Sequence, residues 1–280
     1  MAFLENLGVE TPVVQAGLGG GLSGHELAAA VSEAGGLGTI AVIGAEAIEA
    51  ELAAARALTG RPLAVNLLLP FAEGDWFAAA EGADVVVTFW GDPKRSVAGA
   101  WIHQCGSVEE AKAAHAAGAD AVIVQGVEAG GHVRGTTPAL ELLEQARAAL
   151  PSDYPLFLAG GIAERRDVEE ALDAGASAAV AGTRFLLSEE SRAHPEYKHR
   201  LLGAGETLLT ELFGAGWPAP HRVVPNAATE RDDQDPLPPL APLDDGPAAL
   251  VDDGPLYAGQ TVARIGEVRP AAEIVNDLTP

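Results

Sequence analysis

Eight short, largely apolar or β-branched runs alternate with alanine-rich segments of helical period over the first two-thirds of the chain, and this alternation narrows the folds open to it. The runs fall at residues 12–15, 37–42, 63–68, 84–88, 101–104, 121–125, 156–159 and 178–181. Between most of them, residues 25–33, 46–58, 108–116, 138–150 and 166–174 carry the spacing of crossover helices. Strands separated in this way pair in parallel, so the pattern predicts a (β/α)8 TIM barrel, an α/β fold, spanning residues 1–190. One unit is short. Between Thr88 and Trp101 the text holds two glycines and a proline and leaves no room for an ordinary helix, which predicts a shortened fourth βα unit.

The pattern changes after residue 190. Residues 191–280 read as a C-terminal helical extension packed near the barrel mouth, with helical text at 196–203 and 207–212. A terminal helix is expected at 270–278, where Pro270 suits a first turn. Between these, residues 229–246 are rich in proline and acid, including Asp232, Asp233, Asp235, Asp244 and Asp245. Such a stretch buries too little apolar surface to fold alone, so a flexible acidic loop is expected.

Charge and composition exclude several classes of function. Lys+Arg 17 against Asp+Glu 40 leaves a net charge of −23, which repels phosphate backbones and argues against a nucleic-acid partner. Cys105 is the single cysteine, so neither an intramolecular disulfide nor a cysteine-rich metal site can form. His194 and His199 lack a partner motif, and no metal is expected. The longest apolar runs, such as 62–70, are strand-sized, and residues 1–6 show no secretory pattern. A cytoplasmic protein without a membrane partner is the expectation. His103 and Cys105 alternate with Trp101 on one strand face and read as packing.

Chemistry concentrates in three glycine-bearing loops. The sixth run ends in Gln125 and leads through Glu128, Gly130 and Gly131 to His132. Taken alone, Gly-Gly-His is ordinary turn punctuation. Two further clusters, Ala159-Gly160-Gly161-Ile162 and Ala181-Gly182-Thr183-Arg184, follow the seventh and eighth strands. In barrels those two loops hold phosphate through exposed N–H groups, so the three together predict a phosphate-bearing cofactor beside a titratable imidazole.

Residues 122–135, V-I-V-Q-G-V-E-A-G-G-H-V-R-G, resemble the signature of the FMN-dependent nitronate monooxygenases. The likeness continues, in order, through P-V-V-Q-A at 12–16, residues 26–38, A-V-N-L at 64–67, S-V-E-E-A at 107–111, A-G-G-I at 159–162, A-G-T-R-F-L at 181–186 and A-G-Q at 258–260. The resemblance implies FMN as cofactor. By position, Asn66, Gln125 and Gly130 match residues holding the flavin ring and ribityl chain, and Gly131 shares their loop. Gly161, next to Gly160, matches one phosphate contact, while Ala181, Gly182 and Thr183 match the second phosphate loop. Gln15 and Ala16 would lie beneath the isoalloxazine beside Gly17, and Gln260 would return toward the cofactor.

His132 matches the family's catalytic base, for which a pKa near neutrality is suited. The implied reaction is oxidation of alkyl nitronates or related acidic carbon compounds by molecular oxygen through a flavin semiquinone. An NAD(P)H-dependent FMN reductase acting on enoyl thioesters or quinones is the alternative, and a barrel without turnover serving as an accessory protein is a third. The partners expected are a small-molecule substrate, oxygen or NAD(P)H as redox partner, and a second copy in a homodimer. Three departures from the family pattern bear on substrate: Gly17-Leu18 replaces Pro-Met after Gln15-Ala16, Val133 is extra between His132 and Arg134, and the fourth unit is truncated.

Overall fold

The computed structural model describes residues 2–94, 97–231 and 235–280. Eight parallel strands form one sheet: β1 (Val13–Gln15), β2 (Gly38–Ile40), β3 (Leu63–Leu68), β4 (Val85–Phe89), β5 (Ala100–Cys105), β6 (Ala121–Gln125), β7 (Leu156–Ala159) and β8 (Ala178–Ala181). Neighbours follow chain order from β2 to β8, and β8 pairs with β1. The seam between β1 and β2 closes through a parallel bridge at Val14 and Leu37, where Leu37 N–H donates to Val13 O at 3.0 Å and Gln15 N–H to Leu37 O at 3.0 Å. The result is a (β/α)8 barrel.

Each strand turns alternate residues inward, because the pleat repeats every two residues. Val14, Ala64, Val85, Val87, Ile102, Ile123, Phe157 and Val180 share the interior cluster. Their neighbours Val13, Val65, Val86, Trp101, Val122, Leu156 and Ala179 pack outward in the cluster shared with the helices. The N-terminal helix Ala2–Asn6, absent from the sequence expectation, places Leu4 and Phe3 against the interior cluster, with Phe3 6.2 Å from the ring of Phe157.

Helices His25–Glu33, Ala45–Leu58, Gly74–Ala80, Val108–Ala116, Ala139–Ala149 and Arg165–Asp173 follow β1, β2, β3, β5, β6 and β7. Gly74–Ala80 is a seven-residue helix whose short alanine-rich text gives little periodic signal. No helix joins β4 to β5 among the described residues, so the fourth unit is short as expected. Val97, buried in the outer cluster, covers part of that wall.

The eighth wall comes from the far end of the chain. Helix Ala271–Leu278 buries Ala271, Ile274, Val275 and Leu278 in the outer cluster and packs against His25–Glu33 and Arg165–Asp173. The extension therefore finishes the barrel as well as covering its mouth. Helix Pro195–Leu202 forms where the sequence places one. Residues 207–212 differ from expectation: Leu208–Thr210 is a strand, antiparallel to His221–Val223, which pairs in turn with Gly131–His132. Thr-Leu-Leu-Thr tolerates either conformation, and a partner strand distant in sequence decides between them.

Asp232 and Asp233 of the acidic stretch lie outside the described residues. Farther along it, Leu237 N–H donates to Leu212 O at 2.7 Å and Pro242 O accepts from His194 N at 3.1 Å. No helix among the described residues is long and apolar enough to cross a membrane.

If Ala271–Leu278 is a barrel wall, truncating its buried face will cost as much as a core truncation. Ile274→Ala is expected to lower unfolding free energy by about 3 kcal/mol in urea titration. A loss below about 1 kcal/mol would mean that the helix is merely appended.

Candidate active site

The interior positions at the C-terminal ends of the strands open into a cavity of about 530 Å³. Strand parity selects its floor: Ala16, Asn66, Leu68, Phe89, Gln104, Gln125, Ala159 and Val180 line it, each in step with the inward residues below. Gln15 and Ala181 fall on the opposite parity and do not line it. Ala181 packs toward the helices in the outer cluster. Gln15 is fully buried, and its Oε1 accepts from Thr39 N at 2.8 Å while its Nε2 donates to Ala16 O. The Gln15 amide thus staples the β1–β2 seam, outside the cavity lining.

The loop after β6 is held by its own amide. Gln125 Nε2 donates to His132 O at 3.0 Å, and its Oε1 accepts from Arg134 N at 3.1 Å. Glu128 caps helix Ala139–Ala149, accepting from Ala139 N at 3.0 Å. The Glu128 carbonyl accepts from Gln260 N at 3.0 Å, which pins the C-terminal segment to this loop. Gly130 is glycine for the same reason: a Cβ there would lie 2.4 Å from backbone atoms of Ala258 and Gly259. Gln260 brings its backbone back to the loop, but its side chain is exposed and Thr261 lines the cavity instead. Gly131, at φ +68, has open space where a side chain would be.

His132 sits among aromatic rings contributed from several directions. Trp217 stacks on it at 4.2 Å and 29°, and Tyr257 and His221 lie 5.6 and 5.5 Å away. Trp90, from the shortened fourth unit, stands edge-on at 6.3 Å and contacts Trp217 at 5.0 Å. Trp90 adopts φ +64, a conformation that costs a bulky residue energy and persists only when its surroundings impose it. Arg134 lies 5.2 Å over the Trp90 ring and pairs with Glu110, so its charge is engaged outside the cavity lining. The extra residue Val133 is buried, and its N–H donates to Pro220 O at 2.8 Å.

Burial, with a smaller contribution from His221, pushes the His132 pKa down to about 3. His221 is itself lowered by burial. The Nδ1 of His221 donates to Ala219 O at 2.9 Å and its Nε2 accepts from Phe213 N at 3.2 Å, an arrangement that suits the neutral ring. His132 Nε2 is a buried polar atom without a hydrogen-bond partner among the described residues. The expected near-neutral base is therefore corrected: desolvation keeps this imidazole uncharged and makes it weakly basic until a negative charge develops beside it.

Gly160 and Gly161 line the cavity at φ +111 and +80, and Gly17 does so where a Cβ would come within 2.5 Å of Asn66. Gly182 and Thr183 complete the second loop, and Thr183 Oγ1 accepts from Gly259 N at 2.9 Å. Among the described residues, the N–H groups of Gly161, Gly182 and Thr183 and the side-chain amides of Asn66 and Gln104 make no hydrogen bond within the chain. Gln104 was legible from parity, being two residues beyond inward-facing Ile102. Phe71, Leu240 and Tyr257 arrive from loops whose approach no local pattern announces.

His103 and Cys105 face away from the cavity; His103 bonds Thr88 Oγ1 at 2.8 Å. His25, Glu26 and Glu51 have metal-ligand spacing, but the Arg192 guanidinium bonds both carboxylates at 2.7 Å.

The nitronate monooxygenase family profile matches residues 2–91 and 77–280. A nitronate monooxygenase of Pseudomonas aeruginosa is 34% identical over 356 aligned positions, covering 99% of this chain and 97% of the relative. That alignment is longer than the chain, so the relative carries segments that this protein lacks. Among solved structures, FabK of Thermotoga maritima superposes with a TM-score of 0.86 at 28% identity, covering 99% of this chain and 94% of its own. Nitroalkane oxidase of Streptomyces ansochromogenes gives 0.82 at 32% identity, covering 98% and 96%. The chain belongs to the nitronate monooxygenase family, a family of flavin-dependent oxidoreductases.

Proposed function

We propose that the protein is an FMN-dependent oxidase of carbon acids of the nitroalkane–nitronate type, using molecular oxygen as acceptor and His132 as proton acceptor. The observation that carries this reading is His132 itself: a neutral imidazole in the cavity wall whose buried Nε2 has no hydrogen-bond partner among the described residues. The chain's own groups fit FMN. Free amides at Gly161, Gly182 and Thr183 suit a phosphate, the unbonded amides of Asn66 and Gln104 suit the polar edge of a flavin, and apolar walls suit its ring. When bound, FMN supplies the electron acceptance and oxygen chemistry that amino-acid side chains lack.

Proton removal is the protein's part. A base with a pKa near 3 gives little driving force against a weak carbon acid in the free site. Transfer becomes favourable as the negative charge forming on the substrate stabilises the imidazolium beside it, in a cavity where weak screening strengthens the attraction. Trp217 and Trp90 hold the ring, and the Gln125–His132 hydrogen bond holds its backbone. An NAD(P)H-dependent reductase is the alternative reading, in which a nicotinamide rather than oxygen is the redox partner of the flavin.

Three measurements test this reading. Gly161→Asp, which places a carboxylate at a backbone of φ +80 beside the proposed phosphate position, is expected to yield protein without the yellow flavin spectrum. Retention of FMN would move the phosphate elsewhere. His132→Ala should lower kcat on neutral nitroalkanes by about 100-fold or more while leaving kcat on preformed nitronates within about 10-fold. An equal loss on both would remove the proton-accepting role. The third is pH dependence. Since the folded pKa of His132 lies below that of the unfolded chain, its neutral form persists as pH falls through 6.5 toward about 3, and its contribution to stability is lost over that window. Its ring C–H resonance should stay unshifted between pH 8 and about 5, and a midpoint near 6.5 would contradict the burial argument.

A further inference from the structure

Residues 259–264 reach each of the three loops proposed to hold the cofactor. Gly259 N donates to Thr183 Oγ1 at 2.9 Å in the loop after β8, and Gln260 N donates to the Glu128 carbonyl at 3.0 Å in the loop after β6. The 3-10 helix Gln260–Arg264 then carries Arg264 to the loop after β7. Its Nη2 donates to the two Asp167 oxygens at 2.7 and 2.6 Å and to Glu164 at 3.1 Å. Asp167 ties that loop to its helix: its Oδ2 accepts from Ala163 N and Glu164 N, both at 2.8 Å, just beyond Gly161. Farther on, the chain meets the β8 loop again, where buried Arg184 donates from Nη1 to Glu267 O at 3.0 Å.

We infer that residues 259–264 form a clasp that sets the spacing of the cofactor loops, and that Arg264 is a positioning residue for the FMN phosphate. The inference rests on the proposed FMN binding and adds what keeps the phosphate site in shape. Arg264 lies outside the cavity lining, so it acts through Asp167 rather than by touching the cofactor. Glu164 and Asp167 place two carboxylates at the start of helix Arg165–Asp173, directly after the loop whose amide is to receive the phosphate. Without a counter-ion they would repel each other and that phosphate, and the guanidinium bridging them offsets the repulsion. The same bridge holds the Asp167 side chain, 12% exposed, against its two backbone N–H donors and so fixes the path of the chain leaving Gly161. Because Gly259, Gln260 and Arg264 belong to one short stretch, the three loops are mechanically joined through it. By linkage, a ligand spanning the loops tightens the clasp by the same factor as the clasp tightens the ligand.

The test compares FMN with riboflavin, which carries no phosphate, by following flavin fluorescence as the loaded native protein and Arg264→Gln are diluted. Arg264→Gln is expected to raise the FMN dissociation constant about 10-fold and to leave that of riboflavin within about 2-fold. Arg264→Lys, which keeps the charge but not the fork, should fall between the native protein and Arg264→Gln for FMN. An unchanged FMN affinity in Arg264→Gln overturns the inference, and so does an equal loss for both flavins, which is what a merely structural role would give. Hydrogen exchange reads the clasp in the native protein without any substitution. The Gly259 and Gln260 amides should exchange about 10-fold more slowly with FMN bound than with riboflavin bound, and equal rates would overturn the coupling. A native protein that binds no FMN removes the cofactor reading and the inference together, whereas one that prefers FMN while Arg264→Gln loses nothing removes the inference alone.

Discussion

In a closed barrel of parallel strands every residue faces either the interior or the surrounding helices, and a shift of one position reverses the answer. Val14, Ala64, Ile102, Ile123 and Val180 fill the interior of this barrel, and the same parity carried to the strand ends delivers Ala16, Asn66, Gln104, Gln125 and Val180 to the cavity. The seam between β1 and β2 depends on it too. Gln15 points away from the cavity, and its amide reinforces the narrowest join in the sheet through Thr39.

Desolvation sets the chemistry of the site as firmly as parity sets its membership. Among the described residues no charged side chain lines the cavity; burial holds His132 neutral, aromatic rings surround it, and backbone N–H groups with the amides of Asn66 and Gln104 supply free polar donors. In such a place a charge generated next to its proton acceptor is stabilised by it. The shortened fourth unit takes part in this, because it delivers Trp90 to the rings around His132.

The C-terminal segment ties these features together. Residues 258–260 cross the loop after β6 so closely that Gly130 can carry no side chain, Gly259 bonds Thr183 in the second proposed phosphate loop, and Ala271–Leu278 supplies the last wall of the barrel. Site and scaffold thus share one piece of chain.

By itself the sequence determined the barrel, because the alternation of buried runs and helical segments is local, and it determined the glycine loops and His132, because their residue types stand in fixed positions after identifiable strands. It also held the parity that separates Gln104 from Gln15. Only the tertiary structure decided the strand at Leu208–Thr210, the rings of Trp90, Trp217 and Tyr257 around His132, and the lowering of that imidazole's pKa to about 3. Each of these arises from contacts between segments far apart in the chain, and burial is a property of the assembled neighbours that no single segment encodes.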